Sequence, residues 1–224
     1  MIPALAHVDT WIFDLDNTLY PASADLFGLI DHRMTAFIER LLGIDPVAAR
    51  AVQKNYFREH GTTLSGLMRS HGVDPHEFLE YVHDIEMEAI AEDRRLVRAV
   101  AGLPGRKLIF TNGDAPYARR VLARLGLSDA FETIHDIHAC AYQPKPHPAS
   151  YAAMCETLEI DPAHALFVED MARNLVPAKA LGMTTVWVNN GSEDGDRGID
   201  RTAIDYEIAE VGAWLDEILE GEAR

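Results

Sequence analysis

Trp11-Ile12-Phe13 opens the chain's pattern with an apolar run rich in aromatic and β-branched residues. Similar short runs recur at Lys107–Thr111, Phe131–His135, Ala165–Val168 and Thr184–Val188. Each has the length and content of a strand buried on both faces. Helix-length segments separate the later runs. One extends to Leu125 and stops at Gly126, one covers Pro148–Leu158, and one covers Ala172–Leu181 before Gly182. The segment NNGSEDGDRG reads as an acidic surface loop, and Ile208–Leu219 as a closing amphipathic helix. Alternation of strand and helix predicts an α/β fold with a doubly wound parallel sheet.

The stretch between the first and second strands has a different texture. Leu26, Leu29, Ile30, Met34, Phe37, Ile38, Leu41 and Leu42 recur at helical spacing. Asp45-Pro46 and Asp74-Pro75 mark further helix starts, and His60-Gly61-Thr62-Thr63 marks a break. No strand pattern interrupts residues 22–98. The expected organisation is a catalytic core from residues 1–20 and 99–224, with a helical cap from residues 21–98.

Polar residues stand where the predicted strands end, the edge at which doubly wound sheets bind ligands. Asp14, Asp16 and Thr18 follow the first run on alternating positions. Two carboxylates at the end of a buried strand are costly unless something pairs with them. A hard cation held by oxygen ligands meets that need, with Mg²⁺ the leading candidate. The spacing also lets one aspartate attack while its neighbour handles protons. A plain strand-to-loop turn would use the same residue types. Thr111-Asn112-Gly113-Asp114 can cradle an anion or cap a helix. Lys145, between prolines in QPKPHP, is a rigidly aimed positive charge or a solvated loop lysine. Glu169 and Asp170 add a second carboxylate pair, with Asn174 close behind. Cys140, His135, His138 and His147 match no common zinc spacing, and Trp187 and Trp214 read as core.

Composition narrows the choices. Among 224 residues, 20 Lys and Arg face 36 Asp and Glu, a formal charge of −16. That balance argues against nucleic acid or an anionic membrane as partner. An anionic substrate therefore needs a local positive site, supplied by a metal, a lysine or helix N-termini. Cys140 and Cys155 form no disulfide framework and read as reduced thiols. The N-terminus has no signal-peptide pattern, and no run is apolar enough to span a membrane. A cytoplasmic protein, monomeric or homodimeric, acting on a small molecule is the expectation.

Together, the four polar segments resemble the haloacid dehalogenase superfamily of aspartate-nucleophile phosphatases. Its motifs correspond to Asp14-x-Asp16-x-Thr18, Thr111, Lys145, and Glu169-Asp170 with Asn174, in the family's order and across nearly the whole chain. The resemblance implies a Rossmann-like core with a helical cap inserted after the first strand. It also implies Mg²⁺ held by Asp14, the Asp16 backbone carbonyl and Asp170, with Glu169 supporting. Asp14 would form an aspartyl-phosphate and Asp16 would act as acid and base. Thr111, Asn112, Gly113 and Lys145 would take the phosphoryl oxygens, with Thr18 beside them. Glu169 departs from the family's more frequent aspartate.

DLDNTLYP, HGTTLSGL, LPGRKLIFTNGD and the KPHP loop are similar to the pyrimidine 5′-nucleotidase branch. That similarity implies UMP and CMP as substrates, with Thr62 and Thr63 offering hydroxyls to a base or ribose and with His60 and Arg69 as further polar residues near the same break in the cap. Other possibilities are a phosphosugar phosphatase or mutase, a phosphonate hydrolase, a 2-haloacid dehalogenase, or a non-catalytic phosphate-binding module. Asp16 counts against dehalogenation, because displacing halide needs no proton donor there.

Overall fold

The sheet is built outward from β1 (Thr10–Phe13), whose four side chains are all buried. In the computed structural model, which describes residues 2–192 and 194–221, β1 lies between β2 (Arg106–Phe110) and β4 (Ala165–Glu169). β3 (Thr133–His135), β5 (Thr184–Val188) and β6 (Tyr206–Ile208) complete the order β3-β2-β1-β4-β5-β6. Every pairing is parallel. The architecture is the doubly wound α/β fold that the alternating pattern predicts.

Strand geometry sends successive side chains to opposite faces, and the core divides accordingly. Trp11, Phe13, Ile109 and Val168 pack on one face with Val100 of α5 (Arg94–Gly102), Tyr117 and Val121 of α6 (Ala115–Leu125), and Leu215 of α9 (Val211–Glu220). Ile12, Leu108, Phe110 and Phe167 pack on the other with Tyr151 of α7 (Pro148–Thr157) and Leu175 of α8 (Ala172–Leu181). Trp187 and Trp214 both lie in the core.

Between β1 and β2 run α1 (Leu26–Leu42), α2 (Pro46–His60), α3 (Thr63–His71) and α4 (Pro75–His83), followed by α5. Their starts follow the sequence chemistry. Asp45 accepts hydrogen bonds from the N–H groups of Val47 and Ala48, Thr62 from Ser65, and Asp74 from His76. Each cap satisfies donors that a helix start leaves unpaired.

Two local expectations need correction. Residues 84–93 carry no helix, although the whole 22–98 block reads as helical. Ile208 belongs to β6 rather than to the closing helix, which begins at Val211. β6 is a three-residue edge strand with Glu207 exposed, too short and too polar for a periodic signal. Among the described residues no helix is long and apolar enough to cross a membrane.

β2 enters the sheet through Gly105, at φ +74°, where an added Cβ would lie 2.0 Å from the Asp9 carbonyl oxygen. That oxygen accepts the Arg106 N–H at 2.8 Å, the contact that starts the β1–β2 ladder. Gly105→Ala therefore combines a left-handed backbone with a backbone clash. It should lower stability by about 2–3 kcal/mol in urea unfolding. A loss below about 0.5 kcal/mol would contradict this account of the turn.

Candidate active site

The three central strands deliver their polar ends to one place. Asp14 follows β1 and extends the ladder, its N–H donating to the Val168 carbonyl at 2.9 Å. Thr111 follows β2, and Glu169 and Asp170 close β4. All four are buried.

Lys145 ties two of them, Asp14 and Glu169, together. Its Nζ donates to Asp14 Oδ1 at 2.6 Å, to Glu169 Oε2 at 2.7 Å and to the Phe110 carbonyl at 2.8 Å. An ammonium has three N–H donors, and these contacts use all of them. The expectation that Lys145 hydrogen-bonds a phosphoryl oxygen thus meets a lysine already committed to the carboxylates. Asn112 explains how a loop lysine reaches so deep. Its Oδ1 accepts the Lys145 N–H at 2.8 Å, and its Nδ2 donates to the Lys145 carbonyl at 3.3 Å. The Asn112 side chain is a clamp on the loop.

The turn after β1 places the rest. Asn17 has φ 57°, a conformation that asparagine tolerates better than most residues, and the chain folds back so that Thr18 Oγ1 donates to Asp14 Oδ2 at 3.1 Å. Both oxygens of Asp14 are thereby oriented. Asp16 points elsewhere. Its Oδ1 accepts from both Tyr20 Oη and Tyr117 Oη, each at 2.6 Å, which leaves Oδ2 without a described partner. Burial, and then the Asp16 charge, push both phenols well above their ordinary pKa, so they remain donors. Thr111 Oγ1 accepts the Gly113 N–H at 2.9 Å and keeps its own proton to donate.

Three clustered carboxylates, two of them paired with one ammonium, leave an excess of negative charge. Burial, then repulsion from Glu169, raises Asp14 to about 7, against the pull of Lys145. Burial and Glu169 likewise raise Asp170. Glu169 is lowered: burial opposes, but the Lys145 charge and hydrogen bonds from its neighbours prevail. Ligand oxygens of Asp14, Glu169 and Asp170 lie within 4.8 Å of one another. An all-oxygen, electron-rich set of this kind fits a hard divalent cation. The Asp16 side chain stands outside this trio.

A cavity of about 170 Å³ opens above these residues. Gly61, Thr62 and Thr63 line it, together with Phe57, Phe78 and Arg173, whereas His60 and Arg69 do not. Thr62 Oγ1 caps α3, and Thr63 Oγ1 donates to the Gln53 carbonyl at 3.5 Å. The histidines and cysteines of the zinc question are dispersed. His138 stacks on His76, His147 caps α7, and Cys140 and Cys155 are free.

Residues 8–182 match the family of haloacid dehalogenase-like hydrolases. The chain belongs to that family. Similar proteins include phosphate metabolism protein 8 of Saccharomyces cerevisiae, 27% identical over 77% of this chain and 59% of its own length. The chain thus spans less than two thirds of that yeast relative. A phosphoglycolate phosphatase of Neisseria gonorrhoeae is 29% identical over 87% of this chain and 85% of its own. A glyceraldehyde 3-phosphate phosphatase of Methanopyrus kandleri is 26% identical over 93% and 96%. Among solved structures, a phosphatase of this family from Thermococcus onnurineus superposes with a TM-score of 0.65 at 23% identity, covering 96% of this chain and 99% of that one. It shares the fold.

Several contributors were not legible beforehand. Nothing in the sequence pattern sets Tyr20 and Tyr117 apart, yet their hydroxyls hold Asp16. Trp187 is core, yet its Nε1–H donates to the Asp170 carbonyl at 2.8 Å.

The raised Asp14 and Asp170 give a directional test. Without metal, Asp14 gives the folded state more protons than the unfolded state from about pH 4 to 7, so its contribution to stability falls as pH rises through that window, and the raised Asp170 acts in the same direction. A cation competes with those protons. Mg²⁺ should therefore raise the unfolding temperature of metal-free protein more at about pH 8 than at about pH 5.5. A shift that is absent, or larger at the lower pH, would contradict the assignment.

Proposed function

We propose that the protein is a Mg²⁺-dependent phosphomonoester hydrolase that works through an aspartyl-phosphate on Asp14 and acts on a small phosphorylated metabolite. The observation that carries this reading is the division of labour between two aspartates. Asp14 is fixed through both oxygens at the strand end, beside two carboxylates suited to a cation. Asp16 is fixed through one oxygen, with the other available for a proton.

In the first half-reaction an Asp14 oxygen attacks phosphorus, and the bond from phosphorus to the leaving oxygen breaks. Asp16 Oδ2 gives that oxygen a proton. In the second, Asp16 takes a proton from water as the water attacks phosphorus, releasing phosphate and restoring Asp14. Thr111 Oγ1 donates to a phosphoryl oxygen. Lys145 holds the nucleophile's orientation and offsets its charge. Asp14, Asp170 and the Asp16 carbonyl would hold Mg²⁺, with Glu169 supporting, and the ion would add positive charge where the phosphoryl group sits. The helical block from residue 21 to 98 would act as the cap that excludes water.

The cavity supports a small substrate. At about 170 Å³ it is smaller than the roughly 300–1,000 Å³ typical of sites for drug-sized ligands. A short phosphoester fits that space better than a nucleoside monophosphate. The names of the Neisseria and Methanopyrus relatives support the same choice. The HGTTLSGL threonines, expected to read a pyrimidine, are engaged in capping α3 and bonding Gln53.

Purified protein with Mg²⁺ should release phosphate from p-nitrophenyl phosphate and from two- and three-carbon phosphoesters faster than from UMP or CMP. Faster turnover of UMP would restore the nucleotidase reading and leave the chemistry intact. Asp14→Asn should reduce turnover by on the order of 10³-fold or more. Asp16→Asn should cost about 10²-fold more on an alkyl phosphate than on p-nitrophenyl phosphate, whose leaving group needs no proton. Equal losses on both would make Asp16 a structural residue.

A further inference from the structure

Arg173 lies in the first turn of α8, three positions after Asp170, and lines the cavity. Its guanidinium sits over the Phe57 ring of α2, 4.8 Å from the centroid. Among the described residues it makes no hydrogen bond and no ion pair, and its Nε is buried without an acceptor. A guanidinium offers five donors and does not lose its charge, so burying one beside an aromatic face without an anion is unfavourable.

Neighbouring charges do not resolve this. Glu169 and Asp194 attract Arg173 and Arg197 repels it. Glu169, however, is engaged by Lys145 and the Met171 N–H, and Asp194 pairs with Arg197 at 3.5 Å. Across the cavity, Lys54 pairs with Asp31 at 3.1 Å. The cavity wall therefore carries a half-buried cation whose Nε lacks an acceptor and which pairs with no anion among the described residues.

We infer that Arg173 is the receptor for a second anionic group on the substrate, a carboxylate carried on the alcohol half of the phosphoester. The inference rests on the phosphatase reading and narrows its substrate class to short phosphorylated hydroxy acids. A planar fork matches a carboxylate bidentately, and the Phe57 ring packs against the Arg173 guanidinium. The second negative charge meets Arg173 while the phosphoryl group meets Asp14 and Thr111. The small cavity limits the spacer between the two anions to a few atoms. An ester with a neutral tail would leave Arg173 unmatched, which penalises it relative to the acid.

The test compares kcat/KM on 2-phosphoglycolate and 3-phosphoglycerate with that on β-glycerophosphate and p-nitrophenyl phosphate. Wild-type enzyme, Arg173→Gln and Arg173→Lys are measured side by side. Wild type should favour the acids. Arg173→Gln should lower the acid-to-neutral ratio at least about tenfold, mainly through KM, and Arg173→Lys should keep an intermediate ratio. The ratio is insensitive to a general loss of folded enzyme. Equal losses on acid and neutral esters in both variants, or no loss on either, would overturn the inference. So would a wild-type enzyme that hydrolyses neutral esters and ignores the acids, with the phosphatase reading intact. Failure of wild type on every ester would overturn both.

Discussion

A buried ammonium between two carboxylates is the interaction on which the site depends. Lys145, Asp14 and Glu169 are almost wholly excluded from water, and none would be tolerable there alone. Removing one partner of such a cluster costs about 3–5 kcal/mol, because the other charges remain buried. Their mutual attraction therefore constrains everything around them. The ends of β1, β2 and β4 must converge, since Lys145 touches Asp14, the Phe110 carbonyl and Glu169 at once. The QPKPHP loop must reach over the sheet, and Asn112 holds it there through both amide atoms. One ammonium cannot balance Asp14, Glu169 and Asp170. The remaining negative charge is what makes the place suited to a hard cation.

The second aspartate depends on a different contact. Tyr117, which holds Asp16, stacks on His83 of α4 with ring centroids 4.3 Å apart. His83 Nδ1 in turn lies 2.9 Å from Asp114 Oδ1, at the cap of α6. Burial works against ionisation of Asp114, but His83 and the Tyr117 N–H hold its pKa below the ordinary value. The helical block thus touches, through an aromatic pair, a tyrosine that holds the aspartate proposed as proton donor. A shift of α4 would move the tyrosine that orients that carboxylate.

The strands and their polar ends were legible because buried parallel strands leave dense apolar runs, and carboxylates at their ends stand out against them. β1, β2, β4 and β5 fall where the pattern places them. The pattern assigns Ile208 of β6 to the closing helix, because a three-residue strand with its middle residue exposed carries no readable period. Residues 84–93 carry no strand signal and lie among helices, so the pattern counts them as helical, yet their backbone runs irregularly. Within the site, Asp14, Thr111, Lys145, Glu169 and Asp170 could be gathered in advance, since each follows a predicted strand or a rigid loop. The partners of Asp16 could not. Tyr117 lies 101 positions away in the chain, and an aromatic on an apolar helix face looks like core whether or not its hydroxyl has work to do. Arg173 likewise resembles any arginine near a helix start until the cavity and Phe57 are in place.

The central claim is that Asp14, held by Lys145 and Thr18, is the atom donor to phosphorus. Acid quenching of the enzyme during turnover of a phosphate-labelled ester, followed by peptide mapping, addresses it directly. The account predicts label on Asp14, sensitive to hydroxylamine and chased by unlabelled substrate. Turnover with no labelled protein, or label on another residue, would contradict it.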